Sequence, residues 1–255
     1  MRARLAGYGI DSSRAQLLEV GCGHWYPYAT LFRSVGVRVV GVDLQPLVPR
    51  FPAWARYRQL ARTRGAAPAV RRAAGDAIHR LAFYGPLGRA AGVSVKLRGV
   101  RLVRMDAGRL GFGDASFDYV FSSACFEHLS DVPGVVREIR RVLRPSGVAE
   151  VEIHLFASMT GGHDPELFDH RPPPPGFPLW RHLLDPAWRP PVYLNRWHEW
   201  QFRDALAAEF RIEDVRLTSD HGRDYLTPQL LERLEPTFTH EELVRESVLF
   251  ILRPR

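Results

Sequence analysis

Two glycines placed one residue apart, directly after a short apolar run, constrain the fold of this chain more than any other feature. Residues 16–20 form a run of strand length, and Gly21 and Gly23 follow at once. A second apolar run ends in Asp43, twenty residues beyond Gly23. Glycines let the backbone turn sharply and lie close to a ligand, and a carboxylate at the end of the second strand accepts hydrogen bonds from ribose hydroxyls. The register between these parts predicts a nucleoside-binding βαβ unit.

A tyrosine at position 26 distinguishes this motif from the dinucleotide-binding fingerprint. The G-x-G-x-x-G pattern needs a third glycine at position 26, where the chain has Tyr26, so close approach of a helix over a pyrophosphate is not provided for. A ligand that has a ribose but no pyrophosphate is therefore favoured.

The residues from Glu19 to Gly23 resemble the first motif of the class I S-adenosylmethionine (SAM) dependent methyltransferases. The resemblance implies that the acidic residue Glu19 faces the methionine moiety of SAM, that the glycines cradle it, and that Asp43 holds the ribose. The cofactor-binding positions implied here are Glu19, Gly21, Cys22, Gly23, Asp43 and Leu44.

Two further segments support this resemblance. Residues 100–107 read as a strand that ends in a carboxylate, and residues 114–122 read as a turn followed by a buried strand. The family has both segments in this order. The resemblance implies that Asp106 receives the adenine amino group with Ala107 beside it, and that Ser123 lies in the segment under the sulfonium.

The predicted elements alternate between strands and helices. Strands are expected near residues 16–21, 37–42, 100–105, 117–122 and 148–155, and helices near 27–35 and 132–143. This alternation indicates an α/β protein with a mostly parallel sheet and helices on both faces, which binds ligands at the carboxyl ends of its strands.

The resemblance is to the type 11 subgroup of these methyltransferases over residues 16–155, and it implies a Rossmann-like, seven-stranded sheet with the order 3-2-1-4-5-7-6. A helix at 198–209 and strands at 211–218 and 245–252 would complete that sheet.

Length and composition favour a single domain, with an inserted segment at 47–99 and an acceptor-side loop at 156–196. With 255 residues, 45% of them hydrophobic, the chain can bury one sizeable core. The sequence shows neither a transmembrane-length apolar run nor the apolar core of a signal peptide, so we expect a cytoplasmic protein. Cys22 and Cys125 have no metal or disulfide spacing and are expected to be small apolar residues beside the ligand pocket.

The positive charge is concentrated in the inserted segment. Residues 47–101 contain eleven arginines and one lysine against the single acid Asp76. Lys96 is the only lysine of the chain, which indicates the codon usage of a GC-rich genome, such as an actinobacterial one. We therefore favour a solvated or oligomer-facing surface over a nucleic-acid groove.

The inserted segment is also expected to contain two helices, at 53–64 and 69–83. They would form either a lid over the site or a hairpin packed on the sheet edge or on a second subunit. Their expected apolar contacts are Trp54, Tyr57, Leu60, Ile78, Leu81 and Phe83.

Residues 156–196 carry groups that suit an acceptor pocket. The segment is rich in proline, which argues against regular helix or central strand, and long loops in compact domains are often functional. Aromatic faces interleaved with polar groups stack on and hydrogen-bond to sugar rings. The residues in question are Trp180, Trp188, Tyr193, Asn195, Trp197 and Trp200. The alternative is that the aromatics pack the loop onto the core.

Four histidines lie where the acceptor is expected: His128, His154, His163 and His170. Transfer of a methyl group to a hydroxyl requires removal of a proton, and histidine suits this task because its pKa lies near neutrality. His163 is the first choice for the base, because it follows two glycines and because Asp164 can orient its ring. Alternatively, His128 shapes the turn after the fourth strand and His154 only hydrogen-bonds within the sheet.

A metal site is a further hypothesis for the same region. The candidate nitrogen and oxygen ligands belong to His154, His163, Asp164, Asp169 and His170. A Mg²⁺ ion would hold an acceptor hydroxyl and lower its pKa. Mg²⁺ prefers oxygen ligands, however, and no dense acidic cluster occurs here. The sequence therefore predicts SAM as cofactor, assigns no metal ligands, and leaves Mg²⁺ as an alternative.

Together these features predict a SAM-dependent O-methyltransferase that acts on a hydroxyl of a sugar, an oligosaccharide or a glycosylated metabolite. Methylation of another small molecule, such as a polyketide, quinone, phenol or amine, is the first alternative. A nucleic-acid methyltransferase and a SAM-binding protein without activity are the others. The nucleic-acid interpretation lacks the proline-rich tetrapeptide that amino-methylating enzymes place after strand four, where this chain has residues 122–125.

Overall fold

The computed structural model describes residues 1–23, 25–44, 54–168 and 172–255. The strands are β1 (Gln16–Val20), β2 (Arg38–Asp43), β3 (Arg101–Arg104), β4 (Phe117–Ser123), β5 (Leu143–His154), β6 (Phe210–Ser219) and β7 (Ser247–Pro254). Among the described residues their order is β3-β2-β1-β4-β5-β7-β6, which confirms the predicted Rossmann-like α/β fold.

The helices follow the predicted alternation. They are α1 (Arg2–Gly7), α2 (Pro27–Ser34), α3 (Trp54–Arg64), α4 (Ala66–Ala91), α5 (Val132–Val142), α6 (Pro165–Phe168), α7 (Arg181–Leu184), α8 (Glu199–Glu209), α9 (Pro228–Leu234) and α10 (His240–Val244), with 3₁₀ turns at Phe126–His128 and Arg223–Tyr225. No helix in the described ranges is long and apolar enough to cross a bilayer. The described chain divides into two compact units, residues 1–106 and 107–255. The expectation of a single domain stays a prediction.

In the first unit, β1 pairs in parallel with β2, and β2 pairs in parallel with β3. Leu17 lies opposite Val39 and Val20 lies opposite Val42, and all four side chains are buried. Strands with β-branched and aliphatic residues on both faces suit a parallel sheet that is covered on both sides. The parallel register carries Glu19 and Asp43 to the same edge of this part of the sheet.

The inserted segment forms helices, as predicted, but α4 is longer than expected. The predicted end at residue 83 is wrong because the helix accommodates Pro86 and continues to Gly92, whose φ of 64° ends it in the left-handed region. Tyr57 of α3 is buried, and its hydroxyl lies 3.0 Å from Asp76 Oδ2 of α4. The expectation of apolar contact is wrong for Ile78 and Leu81, because both are mostly exposed, Leu81 to 75%.

The side chain of Trp54 lies outside the described parts of the structure. Whether α3 and α4 form a lid or an interface stays a prediction.

In the second unit, β4 and β5 are parallel, whereas β7 pairs antiparallel with both β5 and β6. This confirms the predicted closing antiparallel pair. The prediction that the fifth strand begins at Val148 is wrong, since β5 begins at Leu143. Its register with β4 shifts between Phe117 and Tyr119, so residues 144–147 form an irregularity rather than a free turn. Helix α5 begins as predicted, and the Asp131 side chain accepts a hydrogen bond from the Gly134 N–H at 2.9 Å.

The proline-rich region after β5 has its own apolar core. It forms the one-turn helices α6 and α7, so the expectation of an entirely irregular segment is wrong. Trp180 is 0% exposed, and its indole N–H donates to the Ala157 carbonyl at 3.1 Å. The buried residues around it are Met159, Leu167, Leu234 and Leu243. These contacts fix the region against α9 and α10.

Candidate functional site

The turn after β1 is tied to the end of β2 by three hydrogen bonds. Gly21 and Gly23 have φ values of 72° and 64°, in the left-handed region that favours glycine. The N–H groups of Gly21 and Cys22 both donate to the Val42 carbonyl, at 2.9 and 3.0 Å. The Gly23 N–H donates to Asp43 Oδ2 at 2.8 Å. The spacing between the glycines and Asp43 therefore has a direct structural cause, since the carboxylate holds the turn.

A third glycine lets the Cys22 side chain pack against β2. A Cβ at Gly41 would lie 2.9 Å from Leu102 Cδ2 and 3.1 Å from Cys22 Sγ, both closer than ordinary contact. Cys22 is buried and Cys125 is half-buried, and neither is in a disulfide. Cys22 is buried as expected of a small apolar residue, and its place beside the ligand pocket stays a prediction. Its backbone forms the turn, while its thiol faces the core.

Glu19 is a buried carboxyl group at the end of β1. It is 3% exposed, and its Oε2 accepts a hydrogen bond from the Ala29 N–H of α2 at 2.7 Å. Burial raises the pKa of Glu19 to about 8, which outweighs the lowering by the Ala29 hydrogen bond, and the charge of Asp43 raises the pKa further. A cationic ligand group beside Glu19 would stabilise its carboxylate.

The other residues assigned to cofactor binding lie at strand ends. The Met105 N–H donates to the Asp43 carbonyl at 2.9 Å, which places the exposed Asp106 just beyond the β2–β3 pairing. The exposed Leu44 accepts a hydrogen bond on its carbonyl from Arg104 Nε at 2.9 Å. In the second unit, Ala107 is half-buried, and Ser123 Oγ donates to Glu152 Oε2 at 2.7 Å. The roles of these residues in SAM binding stay predictions.

Three of the histidines proposed for the acceptor side come together in the second unit. The His163 ring lies 4.9 Å from the His128 ring and 5.0 Å from the His154 ring, between centroids. They come from the 3₁₀ turn after β4, from the end of β5 and from the loop beyond it. The remaining candidates, Asp169 and His170, lie outside the described residues.

A buried glutamate that the sequence analysis left unassigned completes this cluster. Glu127 is 2% exposed, and its Oε1 lies 4.0 Å from His128 Nε2. Burial raises the pKa of Glu127 to about 8, against the lowering effect of the nearby backbone N–H groups of Glu127 and His154. Within the described part of the chain, neither carboxylate oxygen makes a hydrogen bond. The sequence signal is an acid four residues after the end of a buried strand and next to a histidine.

The turn that carries Glu127 and His128 is fixed by residues 193–195. His128 Nδ1 lies 2.9 Å from the Tyr193 carbonyl. Because a carbonyl only accepts, His128 carries a proton on Nδ1, and Nε2 faces the cluster. Asn195 Nδ2 donates to the carbonyls of Phe126 (2.8 Å) and Leu129 (3.1 Å), and its backbone N–H donates to the Glu127 carbonyl (2.9 Å). Asn195 therefore holds the turn.

His154 begins a hydrogen-bonded chain that leads away from the cluster. Its Nε2 lies 2.9 Å from Thr160 Oγ1, and that hydroxyl also donates to the buried Glu246. The second Glu246 oxygen lies 2.9 Å from Nδ1 of the half-exposed His221. The alternative that His154 only hydrogen-bonds within the sheet is therefore wrong. It contacts both the histidine cluster and this chain.

The loop that carries His163 can fold only because two glycines precede it. A Cβ at Gly161 would lie 2.3 Å from the Leu155 carbonyl oxygen, and a Cβ at Gly162 would lie 2.6 Å from the His182 ring. His163 itself has a φ of 55°, an uncommon conformation for a side-chain-bearing residue. Burial lowers the pKa of His163 to about 3, with further lowering by the charges of His154, His128 and His182.

This environment bears on two expectations about His163 and Asp164, whose catalytic roles stay predictions. A group that titrates far below neutrality takes up a proton weakly, so His163 is not favoured as the general base. Asp164 Oδ1 accepts from the Glu166 N–H at 3.0 Å, and Oδ2 binds Arg181 in an ion pair. Because both oxygens have these partners, Asp164 fixes the loop to α7, and the prediction that it orients the His163 ring is not supported.

The aromatic residues assigned to the acceptor divide into buried and accessible ones. The expectation that Trp180 stacks on the acceptor is wrong, because this side chain is completely buried. Tyr193 is 59% exposed, and Trp200 is similarly exposed. Trp188 lies 6.0 Å from the His182 ring and Trp197 lies 5.2 Å from the Phe202 ring, and both are half-buried. These four remain candidates for acceptor contact.

Comparison with known proteins finds similarity to methyltransferases. Residues 85–151 match the model of the Methyltransf_11 family, described as a methyltransferase domain. Over 166 residues the chain is 30% identical to the malonyl-[acyl-carrier protein] O-methyltransferase of Serratia marcescens, which covers 65% of this chain and 47% of that protein. The chain thus spans about half the length of this curated relative.

Two solved structures share the fold over nearly the whole chain. An S-adenosylmethionine-dependent methyltransferase from Mesorhizobium loti has a TM-score of 0.52 at 19% identity, covering 98% of this chain and 96% of that one. The PH0226 protein from Pyrococcus horikoshii has a TM-score of 0.51 at 17% identity, covering 100% and 91%. At these identities the similarity shows the fold alone.

Proposed function

We propose that the chain is a SAM-dependent methyltransferase that transfers a methyl group to a hydroxyl of a sugar, an oligosaccharide or a glycosylated metabolite. The match of residues 85–151 to the Methyltransf_11 model and the similarity to a curated O-methyltransferase support the methyl transfer. The observation that carries the proposal is the hydrogen bond from the Gly23 N–H to Asp43, 2.8 Å long. It brings the carboxylate expected to hold the ribose to the turn expected to cradle the methionine moiety.

The first unit supplies the proposed donor site. Glu19, Asp43 and Asp106 lie at or just beyond the carboxyl ends of neighbouring parallel strands, where α/β sheets bind ligands. One oxygen of Asp43 holds the turn, and a carboxylate has about four lone-pair sites, so Asp43 can also accept bonds from ribose hydroxyls. Glu19 is placed to neutralise a cationic group of the methionine moiety.

The second unit supplies the proposed acceptor groups. In the reaction the acceptor oxygen forms a bond to the methyl carbon, the carbon–sulfur bond breaks, and S-adenosylhomocysteine is released. The acceptor hydroxyl must lose its proton, and the cluster of Glu127, His128, His154 and His163 offers the polar groups for this step. Tyr193 is exposed, and its backbone carbonyl accepts a hydrogen bond from His128 Nδ1. An exposed aromatic residue in a segment bonded to polar groups of the cluster supports a sugar as acceptor.

Methylation of a carboxyl group on a carrier protein is a second candidate. The curated relative acts on malonyl-[acyl-carrier protein]. On α4 of this chain, the exposed Arg71 and Arg72 lie among the exposed apolar residues Val70, Ile78 and Leu81. A surface that combines positive charge and apolar area suits an acidic protein partner.

A transfer assay with methyl-labelled SAM separates these acceptors. Sugars, glycosylated metabolites, phenols, malonyl-acyl carrier protein and RNA are offered with and without divalent cations. The proposal predicts label in a hydroxyl-bearing sugar as an ether that resists alkali. Label released by alkali would indicate a methyl ester and favour the carrier-protein candidate. Transfer to RNA alone, or no binding of SAM, would contradict the proposal.

A variant tests the assignment of the acceptor side. His128→Ala is expected to lower turnover by about 10²- to 10⁴-fold while SAM affinity stays unchanged, because the histidine lies among the groups that handle the acceptor proton. His240→Ala is the matched control, since His240 is exposed at the start of α10. Equal turnover in the two variants would contradict the assignment.

A further inference from the structure

We propose that Glu127, His128 and His163 bind one divalent cation of the Zn²⁺, Co²⁺ or Mn²⁺ class. One carboxylate oxygen and one ring nitrogen from each histidine lie within 4.8 Å of one another. The three residues come from two separate segments, the 3₁₀ turn after β4 and the loop after β5. A set of one carboxylate and two imidazoles is a recurrent ligand set for divalent transition metals.

Glu127 gives an independent indication that a ligand belongs here. It is 2% exposed, and among the described residues neither of its oxygens makes a hydrogen bond of ordinary geometry, although the backbone N–H groups of Glu127 and His154 lie near enough to lower its pKa. Buried polar groups almost always have partners, because an unsatisfied one retains its full desolvation cost. A cation held between the carboxylate and the two imidazoles supplies the missing partner.

The hydrogen bonds around His128 match those of a metal ligand. Its Nδ1–H donates to the Tyr193 carbonyl, which leaves Nε2 on the side of Glu127 Oε1, 4.0 Å away. Metal-binding histidines usually donate their other N–H to a carbonyl or carboxylate, which fixes the ring and its tautomer. The three bonds made by Asn195 hold the same turn in place.

The second ligand segment is also held in a defined conformation. His163 has a φ of 55°, and the close contacts at Gly161 and Gly162 leave no room for other residues there. A side-chain-bearing residue in this region costs free energy, and such strain occurs preferentially at ligand sites. The loop thus brings an imidazole to the buried glutamate.

The ligand set differs from the one considered from the sequence, and so does the preferred metal. Asp164 is bound to Arg181 and to the Glu166 N–H, which removes it from the set. Two imidazoles with one carboxylate favour Zn²⁺ or Co²⁺ over Mg²⁺, which is bound mainly by oxygen. Three protein ligands leave a coordination position for an exogenous oxygen.

The role of the cation rests on the proposed function. The acceptor hydroxyl oxygen binds the cation, which lowers the pKa of that hydroxyl, and its proton passes to solvent water. The oxygen then forms a bond to the methyl carbon of SAM as the carbon–sulfur bond breaks, and the electron pair stays on sulfur. The cation thereby takes over the task for which a histidine base was expected.

Cation binding is measured on the full chain, stripped with a chelator and titrated with Co²⁺ by calorimetry and visible absorption. We expect one saturable Co²⁺ site per chain, displaced by Zn²⁺ and not by excess Mg²⁺. Glu127→Gln and His128→Gln are expected to weaken Co²⁺ binding by at least about 10- to 100-fold, which is the loss seen when a group that only hydrogen-bonds to a metal ligand is removed. The matched controls Glu232→Gln and His240→Gln replace the same residue types at exposed positions and should bind as the wild type does.

Absence of saturable Co²⁺ binding by the wild type, or equal binding by the ligand and control variants, would overturn the site. If Glu127→Gln does not fold, as judged by circular dichroism, His128→Gln decides, because His128 is partly exposed. SAM binding is measured separately. Co²⁺ binding without SAM binding contradicts the proposed function and leaves the site standing. SAM binding and methyl transfer in excess chelator contradict the role of the cation.

Discussion

Replacing Glu19 with glutamine should make the chain less sensitive to alkaline pH. The folded-state pKa of Glu19 is about 8, compared with 4.5 for the free group, because the carboxyl is buried. Between pH 4.5 and about pH 8, the Glu19 carboxyl is ionised in the unfolded chain but still protonated in the folded chain. Stability is therefore fully present below about pH 4.5 and decreases as the pH rises to about 8. The shift corresponds to a loss of about 5 kcal/mol at most, at about 1.4 kcal/mol for each pKa unit.

Glutamine keeps the shape of Glu19 and an oxygen that can accept the Ala29 N–H, but it does not ionise. Urea unfolding of wild type and Glu19→Gln across this pH range is expected to show free energies that diverge toward alkaline pH, with the variant the more stable. Glu232→Gln, at an exposed position of α9, controls for the loss of one negative charge. Parallel pH curves for wild type and Glu19→Gln would refute the argument, because Glu19 would then ionise at the same pH in both states.

The remaining predictions concern elements that hold the second unit. Trp180→Ala should lower the free energy of unfolding by about 3–5 kcal/mol, because a fully buried ring is lost. Asp131→Ala should lower it by about 1 kcal/mol, because the cap of α5 is lost, whereas Asp131→Asn keeps most of it. Gly162→Ala should cost about 1–3 kcal/mol, because its Cβ would lie 2.6 Å from the His182 ring. Denaturant unfolding measures all three, with Trp200→Ala and Gly75→Ala as controls, and losses no larger than in these controls would contradict the buried contacts.

The donor half of the fold could be predicted because its signals are local. The glycines after β1 and the carboxylates at the strand ends lie within a few residues of the backbone features that they shape. The hydrogen bond from Gly23 to Asp43 explains why their spacing was informative. The strand order followed from the same motifs through the family resemblance.

The acceptor half depended on contacts between distant segments, and there the sequence was less informative. Glu127 belongs to the histidine cluster because the loop containing His163 lies beside it, and the sequence does not show this contact. Asp164 follows His163 in the chain, which suggested a pair, but Arg181 is its ion-pair partner. Trp180 looked like a stacking residue until its packing against α9 and α10 was known.

Element ends were also hard to predict. A proline inside a helix usually ends or kinks it, yet Pro86 lies within α4. The turn residues Pro145 and Gly147 suggested a break before the fifth strand, whereas the structure includes them in an irregular start of β5. In both cases the neighbouring structure overrides a local preference.

The central claim, a SAM site at the turn after β1, is tested most directly by calorimetric titration of SAM into wild type, Asp43→Ala and Asp43→Asn. We expect wild type to bind and Asp43→Ala to lose about 1–3 kcal/mol of binding free energy, because buried hydrogen bonds to the ribose are removed. Asp43→Asn keeps an acceptor for the Gly23 N–H, so it separates ligand contact from support of the turn. The exposed Asp204→Ala is the control. No SAM binding by wild type, or unchanged affinity in a folded Asp43→Ala variant, would contradict the claim.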